Sequence, residues 1–153
     1  MIDITDIPYN RLIGITRDAA SAAAPLQLLG SPDHLNHVNT IHACAQFSLA
    51  EAASGECLLR RFSDIANLSA IMPLLREVRV KYRRPATGTL QAKARFSDAA
   101  ATRAIEALSA KGRALIPVSV DLVDEAGITT MTATFSWYVQ MTDAGRTSIG
   151  GHL

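Results

Sequence analysis

Aromatic side chains are scarce in this sequence, at 5% of 153 residues, and charge nearly cancels, with 15 Lys and Arg against 14 Asp and Glu. The first shortage leaves no row of platforms on which nucleobases would stack. The second removes the basic surplus that a general nucleic-acid binder carries. Only two cysteines are present, Cys44 and Cys57, and neither sits in a Cys-x-x-Cys pair. A disulfide framework, a zinc site and thioredoxin-like chemistry therefore lack support. No basic segment followed by an apolar core opens the chain, so no secretory leader is expected. Ala126 to Thr142, one of the two longest runs free of Asp, Glu, Lys and Arg, is Thr-rich and alternating, which is wrong for a membrane helix. A soluble, cytoplasmic protein that binds neither nucleic acid nor membrane is the expectation.

What is abundant is small and apolar. Hydrophobic residues make up 48% of the chain, and 25 of them are alanine. A chain of this length typically buries about 70% of its unfolded surface. It is read as one domain over residues 1–153, with a core at about 10–141 and a frayed tail at 142–153.

Four segments alternate with the period of a half-buried strand. In Leu74 to Arg83, the residues Leu74, Val78, Val80 and Tyr82 face one way and Arg79, Lys81 and Arg83 the other. In Thr89 to Phe96 the inward set is Leu90, Ala92, Ala94 and Phe96. Ile116, Val118, Val120 and Leu122 form the third set, and Met131, Ala133, Phe135, Trp137, Val139 and Met141 the fourth. Arg84 to Gly88 and Asp124 to Gly127 read as hairpin turns joining the first and second pairs. Weaker strand signals lie at Leu12 to Arg17 and Pro25 to Leu29. A helix capped by Ser97 or Asp98 and ended by Lys111-Gly112 carries Ala101, Ala104, Ile105 and Leu108 on one stripe.

A second helix, His42 to Phe62, differs in kind. From His42 to Gly55 it holds nine small residues and one formal charge, Glu51, with no Lys or Arg within eight positions on either side. Such a helix is buried on most sides. The economical architecture is α+β: an antiparallel sheet of about five or six strands round a central buried helix, with an additional outer helix. A carboxylate in that setting lies at a cavity wall, pairs in three dimensions or holds its proton more tightly, and the last property suits a general base. It could equally turn to solvent at a sheet edge. The free N–H groups of the first turn, at Ala43 and Cys44, are candidate donors to a substrate carbonyl. Ordinary capping by Asn39, Thr40 or His42 is the alternative.

The stretch from Leu35-Asn36-His37-Val38-Asn39-Thr40-Ile41-His42-Ala43-Cys44 through Glu51 to Gly55 resembles the central-helix motif of hot-dog-fold acyl-CoA thioesterases. The closest branches are the phenylacetate-pathway (PaaI-like) thioesterases and a related hot-dog group of unassigned function. Val78 to Gly88, and Val123 to Gly127 with the long strand after it, resemble later parts of the same family. The resemblance implies a hot-dog fold, a homodimer or homotetramer, active sites at the dimer interface, and hydrolysis of an acyl-CoA or acyl-carrier thioester. It implies no cofactor beyond the coenzyme A of the substrate. Glu51 matches the carboxylate acting as base or nucleophile, Asn36 the loop amide that positions substrate or water, and the Ala43 N–H the oxyanion donor. Ser69 matches, by spacing, a later polar residue that helps place the water. The chain has His42-Ala43-Cys44 where the family has His-Gly-Gly, and Glu51 where the PaaI-like branch has Asp. Ala43 and Cys44 in place of glycines suit the competing reading, a non-catalytic acyl- or CoA-binding module, whereas Glu for Asp shifts geometry more than chemistry. A hot-dog dehydratase ranks last, because no paired Asp and His is evident.

His42 and Cys44 flank the oxyanion position and are candidate substrate contacts, although a buried, inert Cys44 is the commoner reading. Arg83 and Arg84 precede a turn where CoA phosphates could meet them. Arg76, Arg79 and Lys81 read as a solvated outer sheet face. His34, His37 and His42 lack a completing ligand, so no metal site is expected.

Overall fold

The computed structural model describes residues 3–21, 25–63 and 71–142. Six strands, β1 (Ile15–Arg17), β2 (Leu26–Leu28), β3 (Ile71–Tyr82), β4 (Leu90–Arg95), β5 (Arg113–Val123) and β6 (Thr129–Met141), accompany three helices, α1 (Pro8–Leu12), α2 (Ala43–Ser63) and α3 (Asp98–Lys111). The strands form one sheet in the order β1-β2-β4-β5-β6-β3, every neighbour antiparallel.

Alternation along β5 and β6 does what it implies. Ile116, Val118, Val120 and Leu122, with Met131, Ala133, Phe135, Trp137, Val139 and Met141, are buried on the face that meets α2. Leu49, Ala50, Ala52, Ala53, Leu58 and Phe62 of α2 join the same core. The small residues let the sheet come close to the helix backbone. A Cβ added to Gly55 would lie 3.4 Å from the Trp137 ring, and the Trp137 indole N–H donates to Ser54 Oγ at 3.1 Å. α3 starts with Ser97 Oγ accepting the Ala100 N–H and ends at Gly112, whose positive φ of 66° closes a left-handed cap. Its stripe of Ala100, Ala101, Ala104 and Leu108 packs toward β5. Because Arg113, Leu115 and Pro117 on the outward side of β5 are exposed, α3 lies on the same side of the sheet as α2, and among the described residues no helix covers the outer face.

The fold departs from the sequence reading in several places. Leu74 does not face the core: it is 52% exposed, while Leu75 turns inward. A register shift between Leu75 and Glu77 inserts one residue into β3 and exchanges its two faces, so the strict alternation that suits Val78 and Val80 fails upstream. Tyr82 is also exposed. Arg84 to Gly88 is not a hairpin: β3 pairs with β6, and β4 lies three strands away. Arg83 N–H donates to the Thr130 carbonyl at 2.8 Å and carries the chain off across the end of the sheet. Asp124 to Gly127 is the hairpin expected, joining β5 and β6, with Gly127 at φ 75°. The weak N-terminal strands shrink to β1 and β2. The helix α1, too short to show a period, begins with Pro8 in its first turn and takes up Leu12. The tail beyond Thr142 and Ser69 lie outside the described residues.

Candidate active site

α2 carries the central carboxylate. Glu51 is half-buried, and burial pushes its carboxyl above the ordinary value, the charged form having lost solvent without gaining a cation. Among the described residues its carboxylate has neither an ion pair nor a hydrogen bond. The neighbouring Ser54 hydroxyl donates instead to the Glu51 backbone carbonyl at 2.8 Å. Eight residues earlier, the half-buried Ala43 opens α2. Its N–H has no protein acceptor among the described residues.

The second expected donor is engaged. His42 accepts the Cys44 N–H at its Nδ1, 3.0 Å away, so this imidazole is the helix cap and Nδ1 is its unprotonated nitrogen. Cys44 itself is exposed rather than buried, which overturns the reading of a buried, inert thiol. Asn36 organises the loop before α2. Its Oδ1 accepts the N–H groups of Val38 and Thr40, and its Nδ2 donates to Thr40 Oγ1 at 2.9 Å. That turn places Asn39 at φ 58°, a left-handed conformation Asn tolerates. The Asn36 side chain thus shapes the entrance to the helix, with one amide hydrogen left over.

The two faces of the β3 end divide the remaining candidates. Tyr82 reaches the helix start, its hydroxyl donating to the Ala43 carbonyl at 3.0 Å. Arg83 turns to the opposite face, where its Nε donates to Thr132 Oγ1 at 3.1 Å, and Arg84 is exposed. The Ile41 N–H donates to the Ala86 carbonyl at 2.8 Å, fixing the loop after β3 against the loop before α2. Glu51, Ala43, His42, Cys44 and Asn36 therefore share one helix and its entrance, with Arg83 and Arg84 round the end of β3. Tyr82 and the buried Gln46 were missed by sequence reasoning. Gln46 Nε2 donates to the Ile41 carbonyl at 3.1 Å, and its buried Oε1 has no partner among the described residues. An amide alone in a run of small residues was the available signal. Among the described residues no group of three His, Cys, Asp or Glu is placed to hold a metal ion. His34 has a structural task, its Nε2–H donating to the Ile13 carbonyl at 3.0 Å.

A six-stranded antiparallel sheet wrapped round a helix of small residues is the hot-dog fold, and solved structures that share it include thioesterases. The chain belongs to the family described as a domain of unknown function (DUF4442), whose model matches residues 5–139. The structure is similar to that of PA5026 from Pseudomonas aeruginosa, named a probable thioesterase, with 22% identity, 91% of each chain covered and a TM-score of 0.74. BH2602 from Bacillus halodurans, solved with CoA, is 21% identical over 84% of this chain and 72% of its own, with a TM-score of 0.64. The Staphylococcus aureus thioesterase SAV0944 is 11% identical over 85% of this chain and 96% of its own, with a TM-score of 0.62. At these identities the likeness is one of fold. A search of curated proteins finds no match. Among the described residues no helix is long and apolar enough to cross a membrane.

Proposed function

We propose that the protein is a cytoplasmic thioesterase that hydrolyses an acyl-CoA or acyl-carrier thioester. The observation carrying this reading is the half-buried Glu51 carboxylate, raised by burial and lacking a countercharge, on the helix whose first N–H is free. The Ala43 N–H polarises the thioester carbonyl at the positive end of the α2 dipole. Glu51 takes a proton from water as the oxygen adds to the carbonyl carbon. The C–S bond then breaks, and the proton passes to the departing thiolate. Direct attack by the carboxylate, followed by hydrolysis of the anhydride, uses the same residue. Asn36 holds the entrance loop, Ser69 helps place the water, and His42 and Cys44 border the carbonyl. Arg83 and Arg84 meet phosphate.

Spacing supports an assembly of two or four copies. Eight helical residues separate Ala43 from Glu51 by about 12 Å along the axis, too far for one carbonyl group to touch both within hydrogen-bond reach. A second copy that brings its own Glu51 to this Ala43 closes the gap. The long β3, with one edge unpaired among the described residues, is a ready surface for that second copy.

Thiol release across a panel of acyl-CoA substrates tests the reading. Glu51→Gln and Glu51→Ala are expected to keep the fold and lose about 100-fold or more in kcat/KM, the scale of general-base catalysis. Turnover like that of the parent in both variants rules out the assignment. A second reading, a binding module without turnover, draws on the Cβ groups of Ala43 and Cys44 beside the donors and on the capped Cys44 N–H. Saturable CoA binding with no thiol release from any substrate would favour it.

A further inference from the structure

We propose that the outer face of the sheet carries a polyphosphate groove that holds the nucleotide end of a CoA thioester, which makes CoA, rather than a carrier protein, the substrate class. The inference rests on the thioesterase reading and deepens it. Register assembles the groove row by row. Arg79 of β3 lies in line with Thr134, Ser119 and Arg95, and Lys81 in line with Thr132, Asp121 and Lys93. Arg79, Lys81, Arg83 and Arg95 line a groove of about 370 Å³ together with the hydroxyl-bearing strand β6. The single carboxylate in its wall, Asp121, is taken by Arg95 at 2.7 Å. Glu77 holds Arg79 only at 3.3 Å, and Lys81 has no acidic partner among the described residues.

Cations gathered in this way repel one another, and an anion in the groove relieves the repulsion. Arg95 stands three strand spacings from Arg79, about 14 Å across the sheet, so the cations frame a length rather than a point. One phosphodiester, all that a carrier arm offers, would meet one end of that length. The diphosphate and the ribose phosphate of CoA would meet several cations at once, and Arg binds phosphate in the bidentate manner that favours this.

The groove connects to the catalytic entrance through three consecutive residues. Lys81 and Arg83 line the groove, whereas Tyr82 between them turns the other way and bonds the Ala43 carbonyl. Tyr82 thus ties the strand that lines the groove to the first residue of α2.

Calorimetric binding of CoA and of inorganic diphosphate, paired with kinetics on a CoA thioester and the matching pantetheine thioester, tests the groove. In Arg79→Ala/Lys81→Ala the CoA dissociation constant is expected to rise at least tenfold. The preference in kcat/KM for the CoA over the pantetheine thioester is expected to fall by a similar factor. Arg79→Lys/Lys81→Arg should restore most of both. Unchanged CoA binding in the alanine variant, or equal losses on the two thioesters, overturns the proposal. Tighter binding of inorganic diphosphate than of CoA also overturns it, since the site would then serve free phosphates. Absence of thiol release from the parent, with CoA binding intact and sensitive to the two cations, instead defeats the thioesterase reading and leaves the groove standing.

Discussion

Replacing Ser54 with Ala removes one oxygen from the seam between helix and sheet, and its effect can be worked through. Ser54 is 0% exposed, and its hydroxyl accepts the Trp137 indole N–H at 3.1 Å while donating to the Glu51 carbonyl at 2.8 Å. The methyl group of Ala fills nearly the same space, so no large cavity arises. The indole N–H has no described acceptor besides Ser54 and is left buried without one, which costs about 1–3 kcal/mol. The bond from the hydroxyl to the helix carbonyl contributes little in comparison, because that carbonyl stays in the helical ladder. A central value of about 2 kcal/mol corresponds to a fall in Tm of roughly 4–8 °C for a domain of this size. Urea titration should show the midpoint moving with no change in slope. Trp137→Phe carries its own loss of packing. In a double-mutant cycle with Ser54→Ala, the two costs should fall short of additivity by about 1–2 kcal/mol, because the second change no longer breaks the bond. Additive costs, or a Ser54→Ala destabilisation under about 0.5 kcal/mol, would show that the indole is satisfied in another way and that the seam is held by packing alone.

Other expectations follow from single positions. Because the Glu51 carboxyl is raised by burial, the folded state binds its proton more tightly than the unfolded chain. Stability should therefore fall as pH climbs from the ordinary carboxylate value of 4.5 through the raised one, then level off. Glu51→Gln lacks that loss, so its advantage in urea midpoint should grow across the same window; a constant gap contradicts the burial argument. Hydrolysis by the parent should rise with pH over the same window, as ionised Glu51 accumulates. Gly30→Ala places a Cβ 2.5 Å from the Gly88 carbonyl oxygen, a backbone atom, and should lower Tm; an unaltered melting curve means that the two loops separate easily. Gly55→Ala, with its Cβ in ordinary contact with Trp137, should gain about 0.5–1 kcal/mol from helix propensity, and a loss instead would reveal that the ring cannot yield.

Where one period governed a long segment, the sequence was easy to read. β5, β6 and the stripe of α3 follow from their patterns because each has one wet side and one dry side, and the hairpin Asp124–Gly127 carries turn residues that leave little choice. α2 was legible for the opposite reason: a run of small residues with one acid suits burial all round. The failures have local causes. A bulge is one inserted residue, invisible to a period of two until a register exists, and so Leu74 was placed on the wrong side. A five-residue loop between alternating segments suits a hairpin equally well as a crossover, and only the pairing of β3 with β6 decides between them. At the site, Glu51 and the free N–H of Ala43 stood out through isolation and helix geometry. Capping by His42 was one of three options that the sequence offered, and hydrogen-bond geometry alone selects it; the loop bonds of Asn36 and the reach of Tyr82 depend on side-chain directions that spacing does not encode.

The placement of β3 has a consequence for how the chain comes into being. Its hydrogen-bonding partner, β6, is the last strand of the sheet, beginning at Thr129. During synthesis β3 therefore lacks its partner strand while β4, α3 and β5 are made. An exposed strand rich in aliphatic residues is an invitation to aggregate. Arg76, Arg79, Lys81 and Arg83, carried at close intervals along and just beyond it, are the residue types that keep such a strand apart from its own kind. Three of these cations, Arg79, Lys81 and Arg83, line the finished groove, and with Arg76 they act earlier as guardians of a nascent edge. Neutralising them would lower the yield of folded protein through losses before β6 arrives, even where the stability of the completed fold is untouched.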